Sequence, residues 1–218
     1  MLAVLTRPRA VIFDWDNTLV DSWVCIQESY NMTFRHFGMA EWSLDETQAR
    51  VAASMRDSFP AMFGERWLEA RDVFTASFEA IHMEHLRPLP GAAEMLQGLR
   101  DVGLVLAVVS NKRGTFLRKE AEAMGWGPFF AHLIGADDAE VDKPDAAPVR
   151  LALASTGISP GPDVWFVGDS PIDMQCAVNS GCIPVLLRPH PPYEGEFLHA
   201  PARFLAGCDD LADLVREL

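Results

Sequence analysis

Five short apolar runs punctuate the 218-residue chain, and none of them alternates with polar residues. They are Ala10-Val11-Ile12-Phe13, Leu104 to Val109, His132 to Gly135, Val164 to Val167, and Ile183 to Leu187. A strand that is apolar at every position needs cover on both faces, which is the situation of a parallel sheet flanked by helices. Helical patterns lie between the runs. Ala92, Met95, Leu96, Leu99 and Val102 recur at helical spacing before Gly103. Ala147 to Thr156, Ile172 to Ser180 and Asp209 to Leu218 carry three more. Strands alternating with helices predict an α/β fold with a doubly wound, Rossmann-like parallel sheet. Pro184 in the fifth run predicts an edge strand there.

One stretch breaks the alternation. Residues 22–87 carry helical patterns and no strand. Ile26, Tyr30, Phe34 and Phe37 share a face that stops at Gly38. Ser43-Leu44-Asp45-Glu46 has the form of a capping box. Trp67, Arg71, Phe74, Phe78, Ile81 and His85 make a longer stripe. The expected organisation is a core domain from residues 1–21 and 88–218, with a helical domain inserted at 22–87. With 49% hydrophobic residues, the chain can fill one core and a smaller second one.

Charge and cysteines narrow the function classes. A net charge of −13 repels nucleic acids and anionic lipids, so neither is expected as a partner. No apolar stretch reaches membrane-spanning length, and the segment Met1 to Ala10 lacks the form of a secretory leader. Cys25, Cys176, Cys182 and Cys208 include no close pair of the zinc or redox type. Buried thiols in a reduced, cytoplasmic protein are the expectation.

Four polar segments sit where ligands bind in open parallel sheets, three of them at the carboxyl ends of strands. Asp14-Trp15-Asp16-Asn17-Thr18 follows the first run. Two carboxylates two residues apart beside a buried strand are costly unless a cation or proton compensates them. Ser110-Asn111-Lys112 follows the second run and can hold phosphate oxygens, or cap a helix. Lys143-Pro144 contributes one of only three lysines. Gly168-Asp169-Ser170-Pro171-Ile172-Asp173 places two carboxylates one helical turn apart, where both can face a hard cation such as magnesium. Each segment alone is weak. Their order and their strand placement carry the information.

In those four segments the chain resembles the haloacid dehalogenase superfamily of phosphohydrolases. Phe13 to Ser22 is similar to the family's first motif, and Ser110, Lys143-Pro144 and Gly168-Asp169 with Asp173 to the other three. Residues 22–87 look like the family's helical cap of subclass one, and the whole is most similar to phosphoglycolate phosphatase-like proteins. The resemblance implies that Asp14 is the nucleophile and that Asp16 is the acid and base. Ser110 and Lys143 would bind the phosphoryl group, with Thr18 and Asn111 beside them. Asp14, Asp16 (through its carbonyl), Asp169 and Asp173 would surround Mg2+. Asn17 stands where the family has glycine; asparagine tolerates the same positive φ.

The same comparison ranks the chemistries. Asp16 argues against dehalogenation, and the absence of lysine from 22–87 argues against a Schiff-base phosphonatase. A magnesium-dependent phosphatase acting on a small phosphorylated metabolite is the expectation. A phosphosugar mutase is the alternative, and a non-catalytic binding protein the alternative from another class. Arg50 and Arg56 are candidates for a substrate carboxylate, with Arg56 preferred, and the protein is expected to be a monomer or homodimer.

Overall fold

The computed structural model describes residues 5–51 and 53–218. Residues 1–4, part of the segment read above for a leader, and residue 52 lie outside the described residues. Two compact units emerge. One runs to Val20 and resumes at Pro88; the other spans Asp21–Arg87. No helix among the described residues is long and apolar enough to cross a membrane.

The first unit is built on a six-stranded parallel sheet. In chain order its strands are β1 (Ala10–Phe13), β4 (Val105–Arg113), β5 (Leu133–Ala136), β6 (Val164–Gly168), β7 (Ile183–Leu187) and β8 (Arg203–Leu205). The two-residue segments β2 (Val20–Asp21) and β3 (Arg87–Pro88) pair in a separate ribbon where the chain passes between the units. The sheet order is β5-β4-β1-β6-β7-β8. The chain lays β4 and β5 to one side of β1, then crosses back to add β6, β7 and β8 on the other. The switch point therefore falls beside β1, where loops diverge and leave a crevice at the strand ends.

Every residue of β1 and β6 is buried, which is why neither sequence shows polar alternation. Ala10, Ile12, Ala107, Val109, Val164 and Phe166 form one core with Val149 and Ala152 of α7 (Ala147–Ala152) and Cys176 and Ala177 of α8 (Pro171–Ser180). Val11, Phe13, Val108 and Val167 alternate with these and are equally excluded from water. Each such side chain contributes roughly 1.5–3 kcal/mol on burial. The remaining helices are α5 (Ala92–Asp101), α6 (Gly114–Ala123) and α9 (Cys208–Glu217). α5 packs on α9, and α6 packs on β4 and β5.

Two expectations need correction here. β7 is an interior strand, because β8 adds a further strand beside it. Pro184 is accommodated because pairing with β8 begins one residue on, at Val185 with Arg203; the Pro184 carbonyl accepts from Ala202 N just before β8. The nitrogen of the same residue points to that side as well, away from the ladder with β6. The second correction concerns Ser110 and Asn111. Neither caps a helix: β4 continues through both to Arg113, with a register shift after Val109, and α6 begins at Gly114.

The second unit is helical: α1 (Trp23–Phe37), α2 (Leu44–Arg50), α3 (Met55–Phe63) and α4 (Trp67–His85). Gly38 ends α1 at φ 66°, a left-handed conformation that glycine adopts without cost. Ser43 and Glu46 form the expected reciprocal cap of α2. α1 packs along α4, and rings fill the interior: Tyr30 meets Phe34, Trp42, Phe59 and Phe74 at centroid distances of 5.8, 5.2, 5.8 and 4.9 Å. Asn31 fixes Trp42 with two hydrogen bonds, one to its carbonyl and one from its N–H. The face of α4 that is buried runs through Ala70, Phe74, Ser77, Phe78 and His82, so Trp67, Arg71, Ile81 and His85 of the expected stripe lie at its margin.

Candidate active site

Asp14 is the first residue beyond β1, and its N–H donates to Val167 O on β6 at 2.9 Å. The chain then doubles back: Leu19 N and Val20 N both donate to Trp15 O, and Asn17 N donates to Val20 O at 2.6 Å. That turn needs a left-handed residue, and Asn17 supplies it at φ 61°. The loop so formed holds Thr18 fully buried, its hydroxyl 3.3 Å from Asp169 Oδ1.

Lys143 is the centre of the cluster. It is 2% exposed, and its Nζ lies 2.9 Å from Asp14 Oδ1 and 2.7 Å from Asp173 Oδ1. Its backbone is clasped by Asn111: Lys143 N donates to Asn111 Oδ1 and Asn111 Nδ2 donates to Lys143 O. Asn111 thus joins β4 to the segment that carries the lysine. Ser110, also buried, accepts from Lys112 N at 3.2 Å.

Asp169 follows β6, and Asp173 lies in the first turn of α8. Ser170 N and Oγ both donate to Asp173 Oδ2, at 3.1 and 2.6 Å. With Oδ1 on Lys143, Asp173 uses both oxygens within the protein. Gly168 makes room for this: a Cβ there would overlap the Asp173 side chain. Carboxylate oxygens of Asp14, Asp169 and Asp173 all lie within 4.8 Å of one another.

Burial and crowding show in the acidities. Burial pushes Asp14 up to about 6; Lys143 pulls it down, and Asp173 and Asp16 push it further up. Burial, then Asp173 and Asp14, raise Asp169 well above the carboxylate range. For Lys143, burial opposes the charge, yet Asp14 and Asp173 outweigh it and hold the ammonium above its ordinary value. The negative groups outnumber the positive ones in a largely buried site. A divalent cation relieves that imbalance, and an all-oxygen donor set suits a hard ion. Asp14 and Asp169 fit as direct ligands. Asp173, with both oxygens committed, fits as the group behind them.

A family model described as haloacid dehalogenase-like hydrolase matches residues 11–186. The chain belongs to that family. This haloacid dehalogenase-like hydrolase is 31% identical over 221 residues to a phosphoglycolate phosphatase of Rhodospirillum rubrum, covering 95% of this chain and 89% of the relative. It is 28% identical over 175 residues to the pyrophosphatase PpaX of Bacillus velezensis, covering 80% and 81%. Among solved structures, a Had-superfamily hydrolase from Ehrlichia chaffeensis superposes with a TM-score of 0.67 at 28% identity, covering 99% of each chain. The hydrolase is an enzyme of the phosphoric monoester class, by its family and its relatives.

The structure brings together Asp14, Thr18, Asn111, Lys143, Asp169 and Asp173, while the Ser110 hydroxyl accepts from Lys112 N. Arg56 is exposed on α3 in the second unit. Arg50 is engaged locally, 3.0 Å from Glu46 and over the Trp42 ring at 4.9 Å. Two further residues bear on the site. Lys112 Nζ lies 2.7 Å from Asp16 Oδ1 and 2.6 Å from Glu120 Oε2. Arg188 donates to Asp169 O and pairs with Glu196 at 2.6 and 2.7 Å. Lys112 lies in the Ser110-Asn111-Lys112 segment and is one of only three lysines, but neither signal gives its partners; nothing in the sequence points to Arg188.

Proposed function

We propose that this hydrolase is a magnesium-dependent phosphatase that works through an aspartyl-phosphate on Asp14 and acts on a small phosphorylated metabolite of the phosphoglycolate kind. The observation that carries the reading is the convergence of Asp14, Asp169 and Asp173 on one point, with the Lys143 ammonium touching Asp14 and Asp173.

In this reading Asp14 attacks phosphorus as the bond to the leaving oxygen breaks, and Asp16 gives that oxygen a proton. Asp16 then takes a proton from a water whose oxygen attacks the same phosphorus, freeing Asp14 and phosphate. Lys143 and Ser110 hold the phosphoryl oxygens, with Asn111 keeping Lys143 in place. Thr18 orients the loop against Asp169. Magnesium, held by Asp14, Asp169 and the Asp16 carbonyl with Asp173 behind, would supply the neutralisation that phosphoryl transfer requires. Arg56 is assigned the carboxylate of the substrate.

The test is phosphate release from phosphoglycolate, pyrophosphate, sugar phosphates, nucleotides and a chromogenic ester, with magnesium or with chelator. Release is expected with magnesium, and Asp14→Asn abolishes both release and phosphoenzyme. Normal turnover in Asp14→Asn, or full activity in chelator, overturns the reading. Arg56→Ala should raise KM for phosphoglycolate and leave the chromogenic ester unaffected.

A further inference from the structure

Lys112 and Glu120 lie behind Asp16, outside the acidic triad. Both are buried: their side chains are 4% and 1% exposed, against 17% for Asp16. Glu120 Oε2 accepts from Lys112 Nζ at 2.6 Å and from Trp15 Nε1 at 2.7 Å. Lys112 Nζ in turn reaches Asp16 Oδ1 at 2.7 Å. One helix carboxylate therefore holds the loop twice, through the indole of Trp15 and through the ammonium that holds the next residue's side chain. Trp15 is immobilised by edge contacts to Trp126 and Phe130, at 5.8 and 6.4 Å.

A buried Lys–Glu pair that served packing alone would be complete without Asp16. Drawing a further carboxylate onto the same ammonium adds crowding of like charge. What the arrangement does gain is direction. A side chain that must meet a leaving oxygen in one step and a water in the next loses rate when it can rotate away.

We infer that Lys112, braced by Glu120 and Trp15, is a positioning residue for Asp16: it holds Oδ1 and so assigns proton transfer to Oδ2. The inference rests on the acid–base role given to Asp16 above. Lys112 acts only through Asp16. Its backbone contact to Ser110 is separate and survives side-chain replacement.

The experiment is a double-mutant cycle on the full chain with magnesium and the chromogenic ester. Lys112→Met is combined with Glu120→Gln, so that Glu120 is not left as an unpaired buried charge and the amide oxygen can still accept from Trp15. The pair is expected to lower kcat roughly 10- to 100-fold with KM changed less than about threefold. The effect should disappear in the Asp16→Asn background, because nothing remains to be positioned. Lys112→Arg, which keeps a cation, should recover most of the rate. Glu120→Gln alone, which keeps Lys112, should show a smaller loss of the same kind and provides the measurement if the pair melts below the assay temperature. A wild-type rate in the paired variant, or a loss that persists undiminished in Asp16→Asn, overturns the inference and leaves the phosphatase reading standing. An Asp16→Asn enzyme as fast as wild type overturns both.

Discussion

The site's excess of buried carboxylate makes the metal-free protein less stable as pH rises. Asp14 has an ordinary value of 3.8 and is raised to about 6 in the fold. A group raised in this way binds more protons folded than unfolded, so its stabilisation is full below the unfolded value and is lost as pH climbs through the folded one. Linkage with these two values gives a loss of about 1.4 kcal/mol between about pH 5 and about pH 7.5. For a chain of this size that is a fall of roughly 3–6 °C in Tm. Asp169 is raised too and shifts stability in the same direction, so the Asp14 figure is a floor for the two together. Glu46, Glu69 and Glu196 are lowered, so whatever they stabilise is already present above their ordinary 4.5 and is constant over the window. Lys143 and Lys112 are raised and keep their charge throughout. The assay is thermal melting in chelator at both pH values, for wild type and Asp14→Asn. Wild type should melt lower at the higher pH, and Asp14→Asn should show a shallower dependence. Magnesium should flatten the wild-type profile. A wild-type slope that Asp14→Asn leaves unchanged would refute the reasoning.

Three further outcomes follow from contacts described above. Gly168→Ala should cost roughly 1–3 kcal/mol, because its Cβ displaces Asp173 from its place against the backbone; a melt within experimental error of wild type would contradict that close approach. Asn111→Ala removes both bonds that clasp the Lys143 backbone and should cost roughly 1–3 kcal/mol in denaturant unfolding while also lowering kcat; loss of neither would show the clasp to be dispensable. All four thiols are buried, and burial pushes Cys176, Cys182 and Cys208 up, so a thiol reagent at neutral pH should titrate none rapidly in the native protein and all four in denaturant.

The parts of the fold that were legible in the sequence share a property: the local signal and the tertiary role coincide. β1 and β6 are apolar at every position because both faces are covered, and periodicity reads that directly. Gly38 and the Ser43–Glu46 box announce helix ends through backbone chemistry that acts within a few residues. β8 is not legible because Arg203-Phe204-Leu205 is too short for any period to develop. α3 is not legible as a separate helix because Pro60 interrupts its pattern, although the helix runs through it. Pro184 misled because the ladder with β8 begins one residue after it, at Val185, so the missing N–H removes no bond from that ladder. At the site, the strand-end residues could be found from their order. The partner of Asp16 could not, because Lys112 meets Asp16 from a distant part of the chain, and no motif ties the two together.

The central position of β1 has a consequence for how the chain assembles. Ala10–Phe13 pairs with Val105–Val108 on one flank and Val164–Val167 on the other, so the middle of the sheet is laid down long before either of its neighbours exists. Until β4 is made, the most apolar strand of the protein has no partner, while the helical segment that follows it contains mainly local contacts and can form early. Folding of the first unit must wait for chain that lies far downstream, and the loop after β1 takes its shape only when β6 arrives to hold Asp14 N. During that interval β1 is the segment a chaperone or another copy of the chain would find, which makes its four residues the point where crowded synthesis and misassembly meet.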